Sequence, residues 1–221
     1  MTSSLGGIPA SVDLRGRWTG VRDQGSRPTC LACAASDGHS DAHGLKHRLS
    51  AEFLFYHGAQ QMPQKNSSNG LTFAAADLAL RTNGQPDEFD CPYQATITNP
   101  WNPQPVTKLW FGGLSHVATA TSIFDAVNQG IPVVVSVRLV PGFARVQKAP
   151  HIIDPSGSAF GGHAVLAVGI GRCPSAATDD LLMIRNSWGG AWAEDGHAWL
   201  PVEYLKDKLI GCHSLTALHT N

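Results

Sequence analysis

The 221-residue chain contains no run of ~18 apolar residues, so no membrane-spanning helix is expected and no membrane partner is implied. It carries no excess charge of either sign. Sixteen Lys and Arg residues stand against 17 Asp and Glu, a formal net charge of −1, which argues against nucleic acid as a partner. The N-terminus, "MTSSLGGIPASVDLRG", has no basic segment followed by an apolar one, so no export signal is expected. The five cysteines (Cys30, Cys33, Cys91, Cys173 and Cys212) are odd in number and scattered. They do not make a disulfide framework, and they point to reduced thiols in a cytoplasmic setting, with a leaderless route the remaining path for export. Internal repeats and low-complexity stretches are also missing. At 43% hydrophobic and 15% charged residues, the chain is too apolar for disorder and long enough to bury a full core in one or two domains.

The texture changes along the chain. Ile8 to Leu14 alternates and reads as a short extended piece. Gly16 to Gly25 is loop. Helix formers follow Thr29, a candidate N-cap directly before Cys30. Further helices are predicted over Ala51 to Ala59 behind Ser50, over Thr72 to Leu80, and over Ile123 to Asn128. "QKNSSNG" reads as loop. Residues 84 to 115 hold Pro86, Pro92, Pro100, Pro103 and Pro105 and read as a crossing segment. The second half is strand-rich, in "IPVVVSVRLV", "HAVLAVGI", "LLMIRNSW" and "HAWLPVEYL".

A cysteine at a loop-to-helix junction is chemically suggestive, because free N–H groups and the helix dipole favour the thiolate. A nucleophilic cysteine also needs a base, and that base needs an orienting partner. His163, in "GGHAVLAVGI", and Asn186, in "IRNSWGGAW", each sit at the end of an apolar strand. Both follow Cys30 at close to the ~130–150-residue interval seen in papain-type enzymes.

The sequence resembles the papain family of cysteine peptidases. "SVDLRG" is similar to the family's mature N-terminus and "VRDQGSRPTC" to its glutamine-to-cysteine segment. "DEFDCPYQ" is similar to the stretch between its helical and β parts. "GGHAVLAVGI" resembles its histidine strand, and "RNSWGGAWAEDGHAWL" its asparagine segment. The resemblance implies an α+β fold in a single catalytic domain, residues 1 to 221. A helical lobe of about 17–115 would face a β-barrel-like lobe of about 116–221 plus the strand at 8–14, with the active-site cleft between them. It implies Cys30 as nucleophile, His163 as its acid–base partner, Asn186 as orienter, and Gln24 with the Cys30 backbone N–H as oxyanion hole. Gly70 and Gly162 would contact substrate, and Trp188 would cover the Asn–His contact at the substrate site. The implied substrate is an extended peptide or protein. No cofactor and no metal are implied, and the oligomeric state is not read.

The departures from the family are specific. Arg27 stands where a disulfide cysteine is implied, and Leu31 where an aromatic follows the nucleophile. "NSSNG" stands where a second cysteine and a glycine pair are implied, and Gly162 where plant members carry an aspartate. The family's disulfides cannot form, in line with reduced thiols. Few residues precede Ile8, so control is expected through compartment, partner or delivery, unless the chain is trimmed.

Alternatives use the same residues. The four site residues would equally serve acyl transfer, such as peptide ligation or deamidation, and the fold could serve as a non-catalytic binding module. Cys30 and Cys33 form a C-x-x-C with His39 and His43 downstream, but the gap is too short for a zinc finger, and no βαβ unit surrounds it for a redox pair. Cys33 is expected to pack inside the helices. His39, His43 and His47, four apart, are expected to line a solvated helix face.

Overall fold

A computed structural model describes residues 3–65, 68–96, 103–173 and 180–218. Pro100 of the expected crossing segment, and residues 66 and 67 of the expected loop, lie outside the described residues.

The helices come largely from the first half: α1 (Cys30–Ala42), α2 (Ala51–Gln61) and α3 (Phe73–Thr82). Helix α1 is built of small residues, and Leu31 through Ser40 are all buried. Its Gly38 lets the helix lie close to the sheet: a Cβ there would meet the end of the Leu215 side chain at 3.0 Å, and that side chain would have to give way. The N-caps behave differently. Ser50 accepts a hydrogen bond from the Phe53 N–H (3.0 Å) and Thr72 from the Ala75 N–H (3.2 Å), satisfying donors that a helix start leaves open. Thr29 occupies the expected position before α1 but makes no such bond. Its hydroxyl pairs instead with the Tyr93 hydroxyl at 2.6 Å.

The strands are β1 (Ser4–Leu5), β2 (Ile8–Asp13), β3 (Phe111–His116), β4 (Val133–Leu139), β5 (Gly161–Arg172), β6 (Asp180–Arg185), β7 (His197–Pro201) and β8 (Leu209–Leu218). They form an antiparallel sheet in the order β1-β2-β5-β4-β8-β3, with β6 on the other edge of β5 and β7 beyond it. Among the described residues the barrel-like part is an open sheet. The described residues also include the short helices α4 (Ala120–Asn128), α5 (Gly142–Arg145) and α6 (Val202–Lys208).

Both faces of the central strands are buried, which explains their unbroken apolar runs. Period two divides them. Ala164, Leu166 and Val168 of β5 and Val134 of β4 join the core beneath α1. Val165 and Ala167 of β5, with Val133, Val135 and Val137 of β4, join a second core that includes Phe143, Trp192 and Tyr204.

Several sequence expectations shift. Helix α4 starts earlier than Ile123, because Thr119 and not Ser122 supplies the cap, accepting the Ser122 N–H at 3.1 Å. "HAWLPVEYL" is strand only as far as Pro201 and then turns into α6, whose Tyr204 and Leu205 are buried. Strands β3 and β8 were not foreseen. They pair with each other along their length, and β3 straddles the expected lobe boundary at 115/116. The histidines do not line a solvated face. His39 is fully buried, with Nδ1 2.7 Å from Gln85 Oε1, and His47 lies beyond α1 and pairs with Asp87.

Candidate active site

Cys30 opens α1, and His163 sits near the start of β5, where β4 pairs beside it. The two residues line one cavity of about 310 Å³. Its other walls are Leu31, Asn69, Gly70, Leu71, Thr72 and Phe73 from the helical side, and Ser136, Gly162, Ala164 and Ile210 from the sheet. Ala164, the residue after His163, shares this wall with Cys30, and its backbone N–H favours the thiolate form.

His163 is 3% exposed, and its Nε2 lies 2.7 Å from Asn186 Oδ1. Asn186 Oδ1 also accepts the Ser187 N–H at 2.8 Å. A carbonyl oxygen can only accept, so Nε2 carries the proton and Nδ1 is the ring nitrogen left for proton exchange. The Trp188 ring lies against the imidazole, with centroids 4.8 Å apart, and Phe143 meets it edge-on at 6.1 Å. This apolar cover keeps water from the His–Asn bond.

Gln24 is buried and held at both ends of its amide. Oε1 accepts from Ser187 Oγ at 2.7 Å, and Nε2 donates to the Arg27 carbonyl at 2.8 Å. The Gln24 backbone N–H donates to the Ser187 carbonyl at 2.8 Å. An amide nitrogen has two hydrogens, so one remains for a further acceptor.

Burial pushes the Cys30 thiol up, while the backbone N–H groups of Ala164, Leu31 and Cys30 itself pull it down. Burial pushes His163 down to about 4, while the bond to Asn186 pulls it up. The thiol expected to be lowered by the helix start is thus opposed by its own desolvation. Burial disfavours a single charge on either group.

Gly70 and Gly162 line the cavity. Gly70 has φ +89°, and a Cβ there would approach the Pro28 carbonyl to 3.1 Å, so both conformation and space require glycine. Trp188 does not line the cavity; its place is against His163, beside the cavity wall. Ser187 was not singled out from sequence. It lies inside "NSWG", but its role depends on a partner 163 positions away, which spacing cannot reveal. Leu71, in the loop before α3, and Phe73, Ser136 and Ile210, ordinary members of α3, β4 and β8, were also unforeseen.

A family model described as papain family cysteine protease matches residues 8–211. A viral cathepsin of Adoxophyes honmai nucleopolyhedrovirus is 26% identical over 207 residues, covering 86% of this chain and 56% of that protein. The curated relatives of this kind are matched over only 54% to 62% of their own length. Xylellain, a cysteine protease from Xylella fastidiosa, superposes with TM-score 0.78 at 22% identity, over 96% of this chain and 87% of that one. The Carica candamarcensis cysteine protease CMS1MS2, solved in complex with E-64, gives TM-score 0.70 at 20% identity, over 97% and 100%.

Proposed function

Because the chain belongs to the papain family of cysteine proteases, we propose that it hydrolyses peptide bonds at the cavity shared by Cys30 and His163. The observation that carries this reading is that shared cavity, whose wall also includes Ala164, the residue after His163. The Cys30 sulfur attacks the scissile carbonyl as its proton passes to His163 Nδ1. Charge forms as a pair, which suits a site where burial disfavours either charge alone. The carbonyl oxygen becomes an oxyanion, and the free N–H of Gln24 Nε2 and the Cys30 backbone N–H stabilise it. His163 then protonates the leaving amine, leaving a thioester on Cys30. Water, deprotonated by His163, releases the acid. Asn186 keeps the imidazole in the one orientation and tautomer that serve both steps, by holding the proton on Nε2.

The cavity supports an apolar preference. Leu31, Leu71, Phe73, Ala164 and Ile210 line it, and among the described residues Cys30 and His163 are its only ionisable side chains. A Cβ at Gly162 would meet Ile210 at 3.4 Å, so the glycine widens this wall.

A peptide-library digest tests the reading. The expected result is cleavage at sites flanked by apolar residues, abolished by Cys30→Ala with the circular dichroism spectrum unchanged. Turnover retained in Cys30→Ala would refute the mechanism. Ligated products in place of hydrolysed ones would assign the site to acyl transfer.

A further inference from the structure

Two residues outside this reaction scheme form a device directly behind Gln24. Arg27 is 4% exposed and Glu52, on α2, is fully buried. They meet as a fork: Arg27 Nη1 donates to Glu52 Oε2 at 2.5 Å and Nη2 to Oε1 at 2.8 Å. Nη1 also donates to the Gln94 carbonyl at 2.6 Å, and the Gln94 N–H donates back to Glu52 Oε2 at 3.1 Å. The guanidinium lies between two rings, 5.3 Å from the Phe55 centroid and 5.1 Å from that of Tyr93. Both charges are therefore matched in one geometry, with planar hydrogen bonding and cation–π contact fixing the Arg27 side chain from several directions.

The other end of Arg27 is its carbonyl. That oxygen accepts from Gln24 Nε2 at 2.8 Å and from the Thr29 N–H at 2.9 Å, one residue before the nucleophile. The Tyr93 ring that flanks the guanidinium carries a hydroxyl that donates to the Gln24 carbonyl at 2.9 Å. A buried ion pair is a weak source of net stability, because desolvation offsets attraction, but it is well suited to fixing a geometry. We propose that Arg27, locked by Glu52, Phe55 and Tyr93, is the positioning residue of the oxyanion hole. It sets the direction of the Gln24 amide and so the place of the remaining N–H. This rests on the peptidase reading above.

The test is a double-mutant cycle on the full chain between Glu52→Gln and Gln24→Ala. Glu52→Gln keeps the shape of the side chain but leaves the Arg27 cation without its counter-charge. Its expected effect is a ~10- to 10²-fold loss in kcat, part of what one oxyanion donor contributes, with KM within ~3-fold of the parent. Alkylation of Cys30 by iodoacetamide, which passes through no oxyanion, stays within ~2-fold of the parent rate. In the Gln24→Ala background the same change costs less than ~3-fold, because the group it positions is gone. An equal factor in both backgrounds, or an unchanged kcat in folded Glu52→Gln, would overturn the proposal. Should Glu52→Gln not fold, Arg27→Lys is run through the same cycle. It keeps the charge and loses the fork, and the same outcomes decide. A parent chain that turns over no peptide while Cys30 alkylates normally would instead contradict the peptidase reading, and this one with it.

Discussion

On the helical side of the cleft, Gln24 and Cys30 are fixed by charge and hydrogen bonds taken out of water. Arg27 is clamped to Glu52, and Arg22 donates to Asp37 at 2.7 Å and to the Leu49 carbonyl at 2.8 Å. On the sheet side, His163 and Asn186 end strands whose two faces are packed with Val, Leu, Ile and Ala, and aromatic rings close over the imidazole. The difference has a physical origin. A strand inherits its position from the ladder and from the cores it separates, so the side chain at its end needs one orienting hydrogen bond. A loop has no ladder, so each of its turns must be held by side chains. The two systems join at several places: Ser187 reaches across to Gln24, the Arg22 carbonyl accepts from the Gly189 N–H at 2.9 Å, and Asp37 of α1 accepts from Arg22 and from Arg185 of β6, each at 2.7 Å.

Removing one polar group from each side should break the comparison unequally. Gln24→Ala, which would delete the proposed donor to the oxyanion, should lower kcat ~10²–10³-fold. Asn186→Ala impairs orientation while leaving the nucleophile and base in place, and should cost less, about tenfold, with activity retained. Steady-state kinetics on one peptide substrate reads both; a larger loss for Asn186→Ala would reverse the assignment of which side is held more tightly by polar contacts.

The shared ion triad affects both sides together. Attraction to Arg22 and Arg185 overcomes burial and holds the Asp37 carboxyl below its ordinary range. Asp37→Asn would take from the buried Arg185 its carboxylate partner and leave Arg22 with Glu88 alone, at an expected cost of about 3–5 kcal/mol in denaturant unfolding. A loss under about 1 kcal/mol would mean that the arginines find other partners.

A smaller effect follows from pH. Burial lowers His39 on the helical side, and His163 and His197 on the sheet side, from 6.5 to about 4. A group with a lowered folded pKa takes its proton first in the unfolded chain. Its stabilisation is complete above pH 6.5 and is lost as pH falls through 4. Each histidine can withdraw at most ~3 kcal/mol over that window. The melting temperature should therefore fall steadily from pH 7 to pH 4, with Asp37 adding to the loss below its ordinary value. A melting temperature that rises on acidification would contradict this burial.

The contrast between the sides also explains what the sequence could and could not reveal. The β4, β5 and β6 cores appear as apolar runs, because burial on both faces leaves no polar residue to interrupt them. Ser50 and Thr72 announce their helices, because capping is local. Cys30, Gln24, His163 and Asn186 stand out through spacing and through resemblance to a family. Strands β3 and β8 did not, because glycine, serine and histidine dilute their pattern and one face of each is only half-covered. The clamps were hidden for another reason. Arg27 and Glu52 are 25 positions apart, and Arg185 and Asp37 are 148 apart, so each reads alone as an ordinary surface charge.

The most direct measurement is the rate of Cys30 alkylation by limiting iodoacetamide at neutral pH, followed by peptide mass spectrometry in the parent chain and in His163→Ala. If Cys30 and His163 share a proton across the cavity, Cys30 is labelled ahead of Cys33, Cys91, Cys173 and Cys212, and that lead collapses when the imidazole is removed. A lead that persists in His163→Ala, or even labelling of all five thiols in the parent, would contradict the pairing on which the proposed chemistry rests.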